Sequence, residues 1–132
     1  MKPVNENAPL LRKPPWLKVR PAYHEGCRKI RSTLAGLCLH TVCEEAACPN
    51  MAECFQSGTA TFLILGNICT RDCLYCNIRQ GIPGRPDRQE IDNLITAVRA
   101  MKLNYVVITS VTRDDLPDGG AQFFADSITA LR

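Results

Sequence analysis

The chain has 132 residues, about the length of one ordinary domain and far short of the roughly 250 residues of a complete (β/α)8 barrel. No apolar run approaches the ~20 residues that a membrane-spanning helix needs. The net charge of +3, with 6% aromatic residues, is too mild to indicate a nucleic-acid surface. We therefore expect neither a membrane nor a nucleic acid among the partners.

Cysteine is the unusual feature of the composition. Eight cysteines fall within one stretch of the chain, at positions 27, 38, 43, 48, 54, 69, 73 and 76. The N-terminus (MKPVNENAPLLRKPPWLKVR) lacks the apolar segment and the small-residue cleavage site of a secretory signal. We therefore expect a cytoplasmic protein. In that reducing compartment clustered cysteines usually bind metal or perform redox chemistry.

Residues 1–58 form the first predicted unit, a cysteine-rich N-terminal extension. Its first 21 residues contain five prolines and are predicted to be coil. A short helix is predicted near His24–Leu37, and Cys43, Cys48 and Cys54 follow it. Cys27 and Cys38 are interpreted as small buried hydrophobic residues, since free cysteine is often buried.

Residues 59–132 form the second predicted unit, in which strands alternate with helices. Thr59–Leu65 predicts a buried strand, and Asp87 with Glu90 predicts the capping box of a helix that buries Ile91, Leu94, Ile95, Val98 and Met101. Tyr105–Val111 predicts a second buried strand. A turn at Asp118–Gly120 then leads into a helix with Phe124, Ile128 and Leu131 on its apolar face. This βαβα order predicts an α/β fold with a parallel sheet. Two strands make a poor sheet, so we interpret the unit as the front portion of a larger barrel or doubly wound sheet.

Directly after the first predicted strand, Cys69, Cys73 and Cys76 follow a Cys-x3-Cys-x2-Cys spacing. Thiolates ligate iron–sulfur clusters, and three of them on one loop leave the fourth iron of a cubane open to an exogenous ligand. The loop also follows the carboxyl end of a strand, where parallel α/β folds place their sites. Structural zinc, the alternative, normally takes four ligands in two pairs.

A second set, Cys43, Cys48 and Cys54, again offers three thiols without a fourth at similar spacing. By itself this spacing matches no common zinc or ferredoxin pattern. It is therefore a weaker signal than the Cys69 loop when taken alone.

Three segments, in order, carry a family resemblance. GNICTRDCLYC (66–76) is similar to the cluster loop of radical SAM enzymes, and LHTVCEEAACPN (39–50) with Glu53-Cys54 resembles the auxiliary-cluster segment of lipoyl synthases. The third segment, which contains TSV (109–111), RDDL (113–116) and DGGA (118–121), is also similar to that family. The resemblance runs from about Pro14 to the last residue. It implies the N-terminal part of a partial TIM barrel, with two βα units in 59–132, behind an extension in 1–58.

The resemblance implies a lipoyl synthase, which inserts two sulfur atoms at C6 and C8 of an octanoyl chain on a lipoyl carrier domain. In that family Cys69, Cys73 and Cys76 would bind the 4Fe-4S cluster that cleaves S-adenosylmethionine to a 5′-deoxyadenosyl radical. Cys43, Cys48 and Cys54 would hold the auxiliary 4Fe-4S cluster that donates sulfur. A serine in an Arg-Ser-Ser-Tyr-like segment, which is absent from this sequence, completes the auxiliary cluster in the family. We therefore expect a truncated chain that does not turn over alone; the alternative is a noncatalytic iron–sulfur module or a relic.

The resemblance also implies partners and further binding residues. The partners are octanoylated carrier domains of 2-oxoacid dehydrogenase E2 subunits or of the glycine cleavage H protein, and an electron donor such as ferredoxin or flavodoxin. Thr109 and Ser110, at the end of the second predicted strand, are candidates to contact S-adenosylmethionine. Arg113 and Asp114 either bind the methionine moiety or hold the loop through ion pairs.

Overall fold

A computed structural model describes Pro14, Trp16, residues 25–103 and residues 105–132. The predicted N-terminal coil lies largely outside these residues, as does His24, the predicted first residue of the first helix. The described part is mixed α/β. Its helices are α1 Glu25–Gly36, α2 Val42–Glu45, α3 Met51–Gln56, α4 Gln89–Ala100 and α5 Ala121–Leu131. Its strands are β1 His40–Thr41, β2 Thr61–Ile64, β3 Ile68–Cys69, β4 Arg79–Gln80 and β5 Val107–Ser110.

The predicted parallel pairing of the two long strands is confirmed. β2 and β5 pair in parallel, with Phe62 opposite Ile108 and Ile64 opposite Ser110. The sequence pattern did not predict β1, which adds antiparallel to the other edge of β2 and gives the sheet order β1-β2-β5. Two-residue strands carry too little pattern to be recognised from sequence, since alternation needs several residues.

The core is one cluster of buried side chains from β2 and from the five helices. β2 is almost fully buried, whereas β5 is only half-buried along its length, in contrast to the buried strand predicted there. β5 is the edge strand of the described sheet, so one of its sides has no neighbouring strand within that part of the chain. The buried side chains include Leu34, Phe55, Phe62, Ile64, Leu94 and Phe123.

The start of α4 differs from the predicted capping box. Arg88, rather than Asp87, occupies the N-cap position, and the Asp87 carboxylate one residue earlier accepts a hydrogen bond from the backbone N–H of Gln89 at 2.9 Å. Glu90 does not return the bond to Asp87 as predicted. Its Oε2 instead accepts from the backbone N–H of Leu65 at 3.1 Å. Glu90 bonds Leu65 because the chain turns at Leu65 after β2 and leaves the Leu65 N–H outside the strand ladder, where it needs another acceptor.

Two further predictions are corrected by side-chain burial. In α5 the buried residues are Phe123 and Ser127, while Phe124 is half-buried and Ile128 is 44% exposed. Cys27 is buried as predicted, but Cys38 is exposed. Cys38 ends α1 with a left-handed φ of 51°, and bonds from Cys38 N–H to Ala35 and from Leu39 N–H to Leu34 form a Schellman motif.

No helix in the described residues has the length and apolar character needed to cross a membrane.

Candidate functional site

The loop between β3 and β4 carries Cys69, Cys73 and Cys76. Its base is closed by the parallel pairing of Ile68 with Arg79 and of Cys69 with Gln80, and Gly81 N–H donates to the Cys69 carbonyl at 3.0 Å. Cys76 N–H donates to the Cys73 carbonyl at 2.9 Å, and the turn that this bond closes brings the last two cysteines toward each other. The loop therefore presents three cysteines from one short, closed segment.

The environment of Cys69 favours a thiolate. Burial opposes ionisation, but the backbone N–H of Arg71, 3.5 Å from Sγ, and hydrogen bonds from Thr112 lower the pKa of the Cys69 thiol below its ordinary value. Thiolates are the ligands of metals and clusters. Within the same loop Cys73 is half-buried and Cys76 is exposed, so the set faces outward and remains open to a further ligand.

The neighbouring strand end holds this loop. Thr70 N–H and Oγ1 both donate to the Thr112 carbonyl, at 3.1 and 3.0 Å. The Asp114 carboxylate lies 2.8 Å from the same Thr70 hydroxyl, whose single proton it shares with the Thr112 carbonyl, and the Arg71 guanidinium binds that carboxylate with two bonds of 2.9 Å. The segment that follows β5 is thus attached to the residues directly after Cys69.

Of the four predicted S-adenosylmethionine contacts, Thr109 and Ser110 end β5 and are half-buried on the strand next to β2. Asp114 is exposed and bonded to the loop as described above. Arg113 is 2% exposed, and its guanidinium donates to Asp115, to the Leu65 carbonyl at 3.1 Å and to the Gly84 carbonyl at 2.7 Å. The structure therefore brings the four residues to one edge, with Arg113 engaged inside the protein.

The second cysteine set lies in α2, in α3 and in the segment between them. Cys43 is buried in α2, Cys48 lies in the turn that follows, and Cys54 lies in α3. Cys48 N–H donates to the Cys43 carbonyl at 3.0 Å. Burial, and then the proximity of the Cys48 and Cys54 thiolates, raises the pKa of the Cys43 thiol. The three thiols therefore lie within electrostatic range of one another.

The donor sets fit iron–sulfur clusters by their chemistry. All eight cysteines are free thiols, and each set supplies three sulfur ligands. Across the described residues, no three His, Cys, Asp or Glu side chains converge on a position for a single metal ion. A cubane cluster takes each thiolate on a separate iron, so its ligands are distributed around the cluster.

A cavity of about 220 Å³ borders the segment that leads into the Cys69 loop. Its lining includes Cys38, His40, Gly66, Arg85 and Glu90. The Glu90 carboxyl is partly buried there, and burial raises its pKa despite the N–H groups of Leu65 and Gly66.

Comparisons with known proteins agree with this geometry. Residues 63–130 match the family model of the radical SAM superfamily, and residues 2–48 match the N-terminal domain of lipoyl synthase of that family. The chain belongs to the radical SAM superfamily. The superfamily match begins within β2 and includes the Cys69 loop and β5, and membership implies an iron–sulfur cluster and S-adenosylmethionine as cofactors.

Individual relatives add detail to the superfamily match. The chain is 55% identical over 130 residues to a lipoyl synthase of Proteus mirabilis, and 56% identical over 129 residues to one of Shewanella oneidensis. It is 52% identical over 129 residues to a lipoyl synthase of Nitrosomonas eutropha. These alignments cover 97–98% of this chain and 40–41% of each relative. The chain therefore spans about two fifths of the length of the curated lipoyl synthases that it matches.

Several residues at the site were not predicted from the sequence. Thr70 and Thr112 attach the loop, and Glu45, Asn67 and Asn77 link it to α2. The one sequence signal for the asparagines is their position, because they flank the first and last cysteines of the loop.

Proposed function

We propose that this chain forms the cofactor-binding part of a lipoyl synthase, which inserts sulfur at C6 and C8 of an octanoyl group on a lipoyl carrier domain. The observation that carries the proposal is the presence of two separate three-thiol sets, in the order of the family. Over 97–98% of its length the chain is 52–56% identical to the lipoyl synthases named above.

In this proposal residues 59–132 are the first βα units of a partial TIM barrel, and residues 1–58 are an extension that bears the auxiliary-cluster ligands. The parallel pairing of β2 with β5 supports the barrel, since parallel strands alternate with helices in that fold. The carriers would be 2-oxoacid dehydrogenase E2 subunits or the glycine cleavage H protein, and ferredoxin or flavodoxin would supply electrons. Eight free thiols are consistent with the reducing cytoplasm.

Cys69, Cys73 and Cys76 would hold the cluster that binds S-adenosylmethionine, and Cys43, Cys48 and Cys54 would hold the auxiliary cluster. When bound, the two groups supply an electron for radical generation and sulfur for insertion. The chain's own residues then orient them. The lowered pKa of Cys69 keeps a thiolate available, and Thr70 and Asp114 hold the loop against the end of β5.

Thr109 and Ser110 would contact S-adenosylmethionine, because they end β5 and the segment that follows β5 is bonded to the Cys69 loop through Thr112. Asp114 would add a carboxylate at the same edge, where the ammonium group of a methionine moiety is the complementary charge. Arg113 would contribute indirectly, since four of its five donors already bond Asp115 and two backbone carbonyls.

The test is anaerobic reconstitution with iron and sulfide, followed by iron analysis and electron paramagnetic resonance (EPR) of the reduced protein. We expect up to about eight irons if both clusters are cubanes. Replacing Cys69, Cys73 and Cys76 by Ala should remove about half of the iron and every spectral response to S-adenosylmethionine. Replacing Cys43, Cys48 and Cys54 should remove the other half and keep that response.

Cys38→Ala is the matched control, because Cys38 is exposed and belongs to neither set. It should retain the full iron content. Protein that binds only zinc, or neither iron nor sulfide, would refute the proposal. Clusters that load but yield no 5′-deoxyadenosine from S-adenosylmethionine under reducing conditions would favour a noncatalytic iron–sulfur module. Sulfur insertion itself is read by mass spectrometry of an octanoylated carrier domain.

A further inference from the structure

Glu45 is bonded to three parts of the chain. It ends α2, between Cys43 and Cys48, and its carboxylate is 24% exposed. Its Oε1 lies 3.1 Å from His40 Nδ1 and accepts from the side-chain amide of Asn67 at 3.2 Å. Its backbone carbonyl accepts from the side-chain amide of Asn77 at 2.9 Å. One residue of the auxiliary segment therefore collects contacts from positions 22 and 32 residues further along the chain.

The two asparagines enclose the other cysteine set. Asn67 lies two residues before Cys69, and Asn77 directly follows Cys76. The base of the loop is closed between them by the pairing of β3 with β4. Glu45 thus contacts the loop at both ends, at Asn67 through its side chain and at Asn77 through its backbone carbonyl.

The loop needs such attachment because its tip makes few contacts. Leu74 and Tyr75 are almost completely exposed, and Cys76 is exposed as well. Segments with exposed backbone and little apolar burial open locally at low free energy. The bonds at the base of the loop therefore determine where its three thiols lie.

The adjacent residue Glu44 makes contacts in the other direction. Its carboxylate forms an ion pair with Arg31 at 2.8 Å and lies near the hydroxyl of Thr41, which caps α2. Both partners precede it in the chain. Glu44 and Glu45 have the same side chain in the same short helix, and in the contacts described here Glu45 alone reaches the Cys69 loop.

We propose that Glu45 is a positioning residue that fixes the Cys43–Cys48–Cys54 set relative to the Cys69–Cys73–Cys76 set. Its importance for sulfur insertion rests on the proposed function, because a radical source and a sulfur donor must then reach the same substrate carbon. Misplacement by about 1 Å can reduce a rate about a hundredfold. The link between the two segments itself is independent of any cluster.

The first experiment measures that link in the metal-free, reduced chain by hydrogen exchange with mass spectrometry. Glu45→Ala should accelerate exchange near Asn67, at the start of the loop, by about tenfold, the effect of losing a hydrogen bond to a charged group. The bond from Asn77 to the backbone carbonyl of residue 45 is retained in this variant. Glu45→Gln should stay within about twofold of the parent, because its amide oxygen still accepts from Asn67. Glu44→Ala should accelerate exchange near Arg31 and Thr41 and leave 67–77 unchanged.

The second experiment uses the reconstituted chain. Glu45→Ala should alter the magnetic interaction between the two reduced clusters in the EPR spectrum, while the iron content stays at the parent value. Each cluster observed alone, in a variant that lacks the other cysteine set, should keep its own spectrum. Glu45→Gln should restore the parental interaction.

The outcomes separate this proposal from the proposed function. Unchanged exchange near Asn67 in Glu45→Ala, or equal acceleration in Glu44→Ala, would overturn the positioning role whether or not clusters bind. A chain that takes up no iron would refute the proposed function but not the positioning role, because the exchange data still decide whether Glu45 holds the Cys69 loop. An unaltered magnetic interaction in loaded Glu45→Ala would also overturn the positioning role.

Discussion

Gly120 provides a quantitative test of the packing between α5 and the end of β2. Its φ is 93°, a region that an L side chain rarely adopts, and a Cβ at this position would overlap Leu65 Cδ1. Leu65 cannot withdraw easily, because it is 2% exposed, its N–H is bonded to Glu90 and its carbonyl is bonded to Arg113. Gly120→Ala therefore combines backbone strain with overpacking.

The magnitude of the effect follows from these two contributions. A left-handed backbone costs an alanine roughly 1–2 kcal/mol, and overpacking of a filled core costs roughly 1–3 kcal/mol. Gly120→Ala should therefore lower the free energy of unfolding by about 2–5 kcal/mol. That is a large part of the roughly 5–15 kcal/mol typical of a folded domain.

The neighbouring Gly119 is the matched control. Its φ is 61°, but a Cβ there would meet nothing within 4 Å, so Gly119→Ala carries the backbone strain without the overlap. Urea unfolding of the reduced protein, followed by far-UV circular dichroism, gives both free energies. If the two variants lose stability within about 0.5 kcal/mol of each other, which is ordinary mutational scatter, Leu65 does not resist the new methyl group and the reasoning is refuted.

Three further predictions concern the charged groups around the same strand ends. Arg113→Ala should cost roughly 2–4 kcal/mol in urea unfolding, because it strands the buried Leu65 carbonyl; a loss below about 1 kcal/mol would contradict the bonding described. Bonds from Arg71 and then Thr70 lower the folded-state pKa of Asp114. The contribution of Asp114 to folding stability is therefore present above its unfolded pKa of ~3.9 and is lost as the pH falls through the lower folded value. Asp114→Asn should flatten the acid limb of stability against pH, and an unchanged limb would count against the ion pair. Burial raises the pKa of Glu90, so its contribution is present below ~4.3 and is lost as the pH rises through the folded value. The urea midpoint of Glu90→Gln minus that of the parent should therefore be larger at pH 7 than at pH 4. The opposite trend would refute this reasoning.

Local sequence pattern was sufficient for the longer elements. Apolar periodicity predicted α4 and the two long strands, and the structure ends each element within a few residues of the predicted bounds. The alternating order of these elements was enough to predict the parallel pairing of β2 with β5, because parallel strands need a crossover between them. Such features depend on residues that are near one another in sequence.

Predictions failed where a distant residue competed with a local one. Glu90 fits a capping box by spacing, yet its carboxylate is used by Leu65, 25 residues earlier. The apolar face of α5 was assigned to Phe124, Ile128 and Leu131. Phe124 and Leu131 do pack against the core, but the fully buried residues are Phe123 and Ser127, and Ile128 is exposed. Cys38 became exposed because the helix ends on it in a left-handed conformation.

The candidate site divides in the same way. The sequence alone determined that two sets of three thiols exist and in which order, because ligand type and spacing are properties of the chain; the ligand roles of these six cysteines stay predictions. Only the tertiary structure decided what surrounds them. It engages Arg113 in the interior, attaches Asp114 to the Cys69 loop, and joins the two segments through Glu45. Those contacts connect residues 22 to 48 positions apart, and a hydrogen bond over such a separation is set by folding and leaves no periodic trace in the sequence.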